Sequence, residues 1–84
     1  MTWFVYMLRC RGGSLYTGIT TDLRRRVAAH RAGRGSRYTR SHLPVRLVYR
    51  ERLATRGAAL KREAAIKRLS SSAKRRLVRR AERE

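Results

Sequence analysis

The feature that most limits how this chain can fold is an uninterrupted apolar and aromatic run near its start, residues 3–8 (WFVYML). A short run of this kind, rich in aromatic residues, is typical of a buried β-strand. Residues 11–14 follow with a turn signal that contains two glycines, and residues 15–20 have the pattern of a second strand. The first twenty residues therefore predict a β-hairpin.

Helix signals occupy most of the remaining chain. A first helix is predicted from about Asp22 to Ala32, with Thr20 or Thr21 as its N-cap and Gly33 at its end. Residues 33–44 form a basic connection, and residues 45–49 are predicted as a strand. A helix capped by a threonine is predicted over residues 56–69, and a last helix, after a serine break, over residues 73–83. This β-β-α-β-α-α order predicts a single α+β domain over residues 1–84, with a small three-stranded antiparallel sheet flanked by helices.

Length and charge restrict the class of protein and its partners. A chain of 84 residues suffices for one domain, and its few apolar side chains larger than alanine supply one small core. Lysine and arginine number 23 against five acidic residues, so the net charge is +18. Such a charge indicates a polyanionic partner. Nucleic acid is the first expectation, and an anionic membrane surface is the alternative.

The location and the redox chemistry follow from what the sequence lacks. No apolar run approaches the roughly 18 to 20 residues of a membrane span, and no signal peptide is recognisable. A cytoplasmic protein without membrane association is therefore expected. Cys10 is the one cysteine, which excludes an internal disulfide and a cysteine-rich zinc site, and we interpret it as a packing residue at a strand end. We interpret His42 as a solvated loop residue.

Two tyrosines of the hairpin, Tyr6 and Tyr16, share a face of the sheet only if the loop has the right length. A two-residue loop would place them on opposite faces. An odd loop would pair Tyr6 with Gly18 and bring Tyr16 to the same face. The sequence permits either register. The tyrosines are then either core residues with solvated hydroxyls or parts of a site in which Gly18 leaves room for a ligand.

The first predicted helix carries two polar residues beside its apolar stripe, which Leu23 and Val27 define. At about 100° per residue, His30 lies about 20° from Leu23 and Arg26 about 60° from it. A half-buried guanidinium beside tyrosines is costly unless it meets an anion. The alternative is that Arg26 extends into solvent and His30 interacts with the end of the helix.

An isolated acidic residue, Glu63, faces inward on the helix predicted over residues 56–69. One interpretation is an ion pair with Lys67, in the favourable order for residues four apart. The other is a metal ligand, because one carboxylate completed by water and substrate phosphate is typical of Mg²⁺. Five scattered acids cannot build the carboxylate cluster of a two-metal nuclease, so any metal chemistry would use one ion.

Taken in order, these motifs resemble the GIY-YIG nuclease superfamily. The resemblance is closest to its small stand-alone bacterial members, the YhbQ-like UPF0213 group, and covers about residues 2–78. The two family tripeptides correspond to Phe4-Val5-Tyr6 and Tyr16-Thr17-Gly18. The segment with the family arginine corresponds to residues 19–26 and His30, and the helix with the family glutamate corresponds to residues 59–67. Residues 35–40 and 44–51 resemble the signature of the small group itself. An ordered set over this length is far more specific than a single tripeptide.

The resemblance implies hydrolysis of phosphodiester bonds with one divalent ion, Mg²⁺ or Mn²⁺. Either Tyr6 or Tyr16 would help to activate the attacking water, and Arg26 would hold the scissile phosphate. His30 would accept or relay a proton, and Glu63 would bind the metal. The expected substrate is DNA, recognised by its structure rather than its sequence, with RNA as a further partner to consider. The alternative function is a nucleic-acid-binding module of the same fold with weak or lost catalysis.

Two departures from the family pattern favour that alternative. Ile19 stands where some relatives carry a lysine, and residues 72–75 lack the asparagine that others carry. Tyr38 is expected either to stack on an unpaired base or to pack in its loop. The residues expected to contact nucleic acid surround the proposed site and are Arg24, Arg25, Arg31, Arg34, Arg37, Tyr38, Arg40 and Lys67. A further basic stripe lies on the last predicted helix and consists of Arg75, Arg76, Arg79 and Arg80.

Overall fold

The computed structural model describes residues 1–83. Its elements are, in chain order, β1 (Trp3–Arg9), β2 (Leu15–Thr20), α1 (Leu23–Arg31), α2 (Arg37–Ser41), β3 (Arg46–Leu53), α3 (Arg56–Lys67) and α4 (Ser71–Glu82). The strands form one antiparallel sheet in the order β2-β1-β3. The predicted α+β class and element order are confirmed, with the short helix α2 as an addition.

The hairpin has the odd loop that brings the two tyrosines together. Tyr6 pairs with Gly18 in the register between β1 and β2. Gly12 and Gly13 have φ values of +88° and +92°, which residues with a side chain rarely adopt. These glycines set the length of the loop, and the loop length places Tyr16 on the same face of the sheet as Tyr6.

Strand β1 lies in the middle of the sheet and is buried on both faces. Met7 packs with Ile66 and Val78 beneath α3 and α4, whereas Tyr6 packs with Val27 beneath α1. Neighbouring residues of a strand point to opposite faces, so a strand covered on both sides needs the continuous apolar run seen in the sequence. The expectation of one core is therefore wrong, because the sheet divides the core into two thin clusters.

Two helix boundaries near the site differ from the prediction. The N-cap of α1 is Asp22, whose carboxylate accepts the backbone N–H of Arg25 at 3.1 Å, rather than Thr20 or Thr21. Helix α2 lies inside the segment predicted as an irregular connection. It begins there because the Ser36 hydroxyl accepts the backbone N–H of Thr39 at 3.1 Å.

The later elements also shift by a few residues. Strand β3 continues beyond the predicted end at residue 49, since its charged residues still pair with β1 and reach solvent at the edge of the sheet. Helix α4 begins at Ser71, with Ser70 as the N-cap that accepts the backbone N–H of Ala73 at 3.1 Å. Cys10 is 4% exposed, as a packing residue should be. None of the helices in the described chain is long and apolar enough to cross a bilayer.

Candidate active site

Tyr6 projects from the middle of the central strand and is 1% exposed. Gly18 lies directly opposite and leaves the space that the phenol occupies. A Cβ at Gly18 would lie 2.5 Å from the phenolic oxygen, which is closer than atoms can approach without displacement. The glycine of the second tripeptide is therefore a steric requirement for the position of Tyr6.

The Tyr6 hydroxyl lies 2.8 Å from Nε2 of His30. Nδ1 of the same ring lies 2.8 Å from the Thr39 hydroxyl, which donates to the carbonyl of Ser36 at 3.3 Å. The tautomer of His30 that carries its proton on Nδ1 donates to the Thr39 hydroxyl and leaves Nε2 as an acceptor. In this tautomer the Tyr6 hydroxyl donates its proton to His30.

His30 is held in place by residues that the sequence analysis did not identify as functional. His30 and Thr39 are both fully buried. A Cβ at Gly35 would overlap the imidazole, so only glycine lets the chain pass this close. Thr39 reaches the ring from α2, whose capping serine, Ser36, was the signal in the sequence that could have revealed this helix.

The environment shifts the pKa values of both partners in the tyrosine–histidine pair. Burial raises the pKa of Tyr6 above its ordinary value; Arg26 opposes this in part, and the charges of Tyr16 and Glu63 add to it. Burial, together with the nearby Arg26, lowers the pKa of His30. At neutral pH the pair therefore consists of a protonated phenol and a neutral imidazole.

Arg26 lies one helical turn before His30 on α1 and is half-buried. Its Nη2 donates to the carbonyl of Gly35 at 2.9 Å, and the guanidinium also lies close enough to the Tyr6 hydroxyl to interact with it. The charge acts on both Tyr6 and His30 and lowers the pKa of each. The side chain therefore does not extend freely into solvent, and it lies against the tyrosine–histidine pair.

Tyr16 completes an aromatic cluster with the tyrosine–histidine pair. Its ring centroid lies 6.5 Å from that of Tyr6 and 5.1 Å from that of His30. No side-chain hydrogen bond of the Tyr16 hydroxyl occurs within residues 1–83, in contrast to Tyr6. Of the two tyrosines, Tyr6 is thus the one with a proton acceptor in contact.

Tyr38 and His42 form a stacked pair next to this cluster, with ring centroids 4.1 Å apart. The His42 ring nitrogen Nδ1 also lies 2.7 Å from the carbonyl of Tyr38, and the Tyr38 hydroxyl donates to Ser14 at 2.6 Å. His42 lies in the turn after α2 and is partly exposed, in agreement with the loop position predicted for it, and its ring is in addition held against Tyr38. For Tyr38 these contacts favour packing, although its 42% exposure leaves base stacking as a prediction.

Glu63 lies on α3, within electrostatic range of the Tyr6 hydroxyl. Its side chain is 19% exposed, and the Lys67 ammonium lies 3.4 Å from one carboxylate oxygen. Within residues 1–83, no three histidine, cysteine, aspartate or glutamate side chains cluster around a common point. A single carboxylate fits an ion that keeps most of its water, as Mg²⁺ does, and it does not fit a fully protein-bound metal.

A basic surface surrounds these groups. An open groove of about 570 Å³ runs along α1 and is lined by Arg25, Arg26 and Arg34 among others. In contrast to the half-buried Arg26, all six arginines predicted to contact nucleic acid are exposed: Arg24, Arg25, Arg31, Arg34, Arg37 and Arg40. Lys67 differs from them because it is paired with Glu63. The tertiary structure thus gathers Tyr6, Tyr16, Arg26 and His30 into one cluster, with Glu63 within electrostatic range and arginines around it.

Comparison with known proteins places this arrangement in a family. The model of the GIY-YIG catalytic domain matches residues 2–76. The UPF0213 protein DP2720 of Desulfotalea psychrophila is 54% identical over 81 residues, which are 95% of this chain and 74% of that protein. The UPF0213 protein H16_B0156 of Cupriavidus necator is 53% identical over 73 residues, 87% of this chain and 79% of that protein.

Two solved structures agree with the fold. The solution structure of the UPF0213 protein BH0048 from Bacillus halodurans has a TM-score of 0.60 and 42% identity, and covers 93% of this chain and 83% of that one. The solution structure of EF2693 from E. faecalis has a TM-score of 0.66 and 36% identity, and covers 100% of this chain and 90% of that one. With a catalytic-domain match over most of the chain and relatives about half identical, the chain belongs to the GIY-YIG domain family and, within it, to the UPF0213 group.

Proposed function

We propose that this protein is a metal-dependent endonuclease that hydrolyses phosphodiester bonds in DNA in the cytoplasm and recognises the structure of its substrate. The observation that carries the proposal is the 2.8 Å contact between the Tyr6 hydroxyl and Nε2 of His30, beside Arg26. A buried phenol with a neutral proton acceptor is a means of activating water. The GIY-YIG family provides the reaction class.

In the proposed reaction Tyr6 activates the attacking water and His30 accepts the phenolic proton. A tyrosine with a pKa of about 10 is a poor base at neutral pH, and burial raises the pKa of Tyr6 further. The water can therefore lose its proton to the phenolic oxygen only as that oxygen passes its own proton to Nε2 of His30. The hydrogen bond favours Tyr6 over Tyr16 as the activating residue.

The phosphate and the metal would be held by the remaining two groups. Arg26 would bind the scissile phosphate and stabilise the negative charge that grows there during attack. Glu63 would hold one divalent ion through its carboxylate, with water and substrate completing the coordination. The chemistry that Mg²⁺ or Mn²⁺ supplies when bound is stabilisation of the leaving oxygen.

The surface supports nucleic acid as the substrate and structure as the basis of recognition. Exposed arginines along the groove beside α1 are suited to phosphates, and phosphates are common to every sequence. We assign DNA rather than RNA on the family resemblance, and the experiment below includes RNA. An anionic membrane is disfavoured because the apolar side chains of the helices are used in the two core clusters.

The test is cleavage of labelled single-stranded, duplex and branched DNA with Mn²⁺, with an RNA titration at matched salt. Arg26→Ala and Glu63→Ala should each abolish product while leaving the protein folded, as judged by thermal melting. Arg52→Ala removes an exposed arginine at the edge of the sheet, outside the groove beside α1, and serves as the charge-matched control, with cleavage retained. Product that survives both site substitutions would contradict the proposal.

A second function has its own support. Ile19 replaces a lysine carried by some relatives, and Lys67 occupies one oxygen of the proposed metal ligand Glu63. Both favour a nucleic-acid-binding module with little catalysis. Tight binding of DNA with no product at any Mn²⁺ or Mg²⁺ concentration would identify this function.

A further inference from the structure

A second basic groove lies on the other face of the sheet. It runs between α3 and α4 and consists of two adjoining depressions of about 360 and 260 Å³, which share Arg62, Leu77 and Arg80. Arg76 lines the second depression. Three arginines, Arg62, Arg76 and Arg80, therefore line one groove, on the Met7 side of the sheet that α3 and α4 cover.

One of these arginines is held in a fixed orientation. Oε2 of Glu51 accepts two hydrogen bonds, from the Tyr49 hydroxyl at 2.5 Å and from Nε of Arg62 at 3.0 Å. Tyr49 is itself 9% exposed and belongs to the core. The two terminal nitrogens of Arg62 make no hydrogen bond within residues 1–83, so they are available for a phosphate. The charge of Glu51 is at the same time compensated by its ion pair with Arg62.

Helix α4 adds a one-sided stripe of positive charge. Its apolar residues Leu77 and Val78 pack on the sheet, and its arginines are exposed on the opposite side. Arg76 and Arg80 are four residues apart, and like charges at this spacing disfavour a helix. No carboxylate lies within salt-bridge distance of these two side chains in the described part of the chain. A bound polyanion would relieve this repulsion.

The occupant that these features fit is a nucleic-acid backbone. An amphipathic helix binds a membrane by inserting its apolar face, and in α4 that face is already buried in the core. The groove beside α1 lies across the sheet from the groove between α3 and α4. A DNA duplex has a persistence length of about 50 nm and resists bending around a domain whose Cα extents are 30 × 28 × 23 Å. A duplex in one groove is therefore poorly placed to enter the other.

We propose that the groove between α3 and α4 binds the phosphate backbone of a second nucleic-acid segment through Arg62, Arg76 and Arg80, with Glu51 as the residue that positions Arg62. The protein would then hold two segments at once, one along α1 and one along α4. This inference goes beyond the proposed hydrolysis and requires no cleavage.

The test measures bridging of two DNA duplexes by the full chain in metal-free buffer. One duplex is attached to beads, and a fluorescent second duplex is captured only if the protein holds both. The triple variant Arg62→Gln, Arg76→Gln and Arg80→Gln should capture about tenfold less of the second duplex, because three phosphate contacts are lost. Its binding to the first duplex should change much less. A triple variant that bridges as well as the wild-type protein, or a wild-type protein that never bridges, would overturn the proposal.

A charge-matched variant and a positioning variant complete the experiment. Arg46→Gln, Arg52→Gln and Lys61→Gln together remove three exposed charges away from the groove and should leave bridging intact. Glu51→Ala removes a negative charge, so simple attraction predicts stronger capture, whereas loss of a positioning residue predicts weaker capture. Glu51→Gln keeps an acceptor oxygen for Arg62 and should restore capture of the second duplex.

The remaining outcomes decide between occupants and between proposals. Stronger capture by Glu51→Ala would refute the positioning role. Retention by phosphatidylcholine–phosphatidylglycerol vesicles through the same three arginines, without DNA bridging, would assign the groove to a membrane surface and overturn the nucleic-acid proposal. Since no metal is present, a failure to bridge is distinct from a failure to cleave.

Discussion

The phenolic oxygen of Tyr6 lies 2.8 Å from Nε2 of His30, although 24 residues separate the two in the chain. The contact forms because Gly18 and Gly35 let the phenol and the imidazole fit against backbone, and because Thr39 occupies the other ring nitrogen. A short relay of this kind requires the sheet, α1 and α2 to be in place together.

Loss of the phenolic hydroxyl should separate catalysis from binding. Tyr6→Phe is expected to lower single-turnover cleavage by about 10²- to 10⁴-fold, because the proton relay is removed. It should also cost about 1 to 3 kcal/mol of stability, since Nε2 of His30 loses its buried partner. DNA affinity measured by fluorescence anisotropy should be unchanged. Tyr16→Phe is the control, and a larger loss of cleavage in that variant would assign water activation to Tyr16.

The stability of the protein should decrease on the acid side of neutrality. Burial lowers the pKa of His30, so below about pH 6.5 the unfolded chain binds a proton that the folded chain refuses. The free energy of unfolding should therefore rise with pH up to about 6.5, with a slope of at most about 1.4 kcal/mol per pH unit from this group. Urea titrations from pH 5 to 8 measure it. His30→Gln should remove this part of the slope, and an unchanged slope would contradict the assignment.

Urea titrations extended to about pH 11 should show a second loss of stability at alkaline pH. Burial raises the pKa of Tyr6 and of Tyr49, so above about pH 10 the unfolded chain releases protons that the folded chain retains. Stability contributed by these hydroxyls is present below that pH and is lost as the pH rises further. Tyr6→Phe should flatten this alkaline decrease.

Substitution of the glycine opposite Tyr6 should be far more harmful than substitution of another glycine. In Gly18→Ala the new methyl group would lie 2.5 Å from the phenolic oxygen, so the ring must move and the contact with His30 must break. We expect a loss of about 1 to 3 kcal/mol and a loss of cleavage. In Gly57→Ala nothing lies within 4 Å of the new methyl, and α3 should gain about 0.5 to 1 kcal/mol. Thermal and urea unfolding of the two variants test the difference, and equal stability would contradict it.

The ion pair between Glu63 and Lys67 should weaken metal binding. The Lys67 ammonium, 3.4 Å from the carboxylate, competes with a divalent ion for the same charge. Lys67→Ala should therefore lower the Mn²⁺ concentration needed for half-maximal cleavage at saturating DNA by about twofold, which corresponds to the loss of a partly exposed ion pair worth about 0.5 kcal/mol. Lys61→Ala, on the same helix, should leave that concentration unchanged. A higher Mn²⁺ requirement in Lys67→Ala would argue against Glu63 as the ligand.

DNA affinity should depend steeply on salt. If six phosphates are neutralised on duplex DNA, the logarithm of the binding constant should fall with the logarithm of salt concentration with a slope of about −5. Replacing both Arg24 and Arg25 by glutamine should reduce the magnitude of the slope by about 2, since about 0.9 is lost for each contact. Arg52→Gln removes a charge at the edge of the sheet, away from the groove beside α1, and should leave the slope of the salt dependence unchanged. Anisotropy titrations between about 50 and 300 mM salt, a range over which the Debye length shortens steadily, measure this slope.

The sequence by itself determined the order and type of the main elements, because their signals are local. The apolar run in residues 3–8, the capping residues and the rotation of α1 that places Arg26 and His30 on one side all depend on neighbours a few positions away. The family tripeptides and the glutamate helix were likewise readable as ordered motifs. The short helix α2 was missed because its signal, one capping serine ahead of a single turn, is too weak beside the surrounding basic residues.

Only the tertiary structure decided the register, the pairings and the second groove. The hairpin loop was compatible with two lengths, and the positive φ angles of Gly12 and Gly13 select the one that unites Tyr6 with Tyr16. The hydrogen bond from Tyr6 to His30, and the groove that Arg62 shares with α4, join residues from separate elements. Such contacts depend on how the helices pack across the sheet. Local sequence patterns do not specify this packing, because it joins residues that are far apart in the chain.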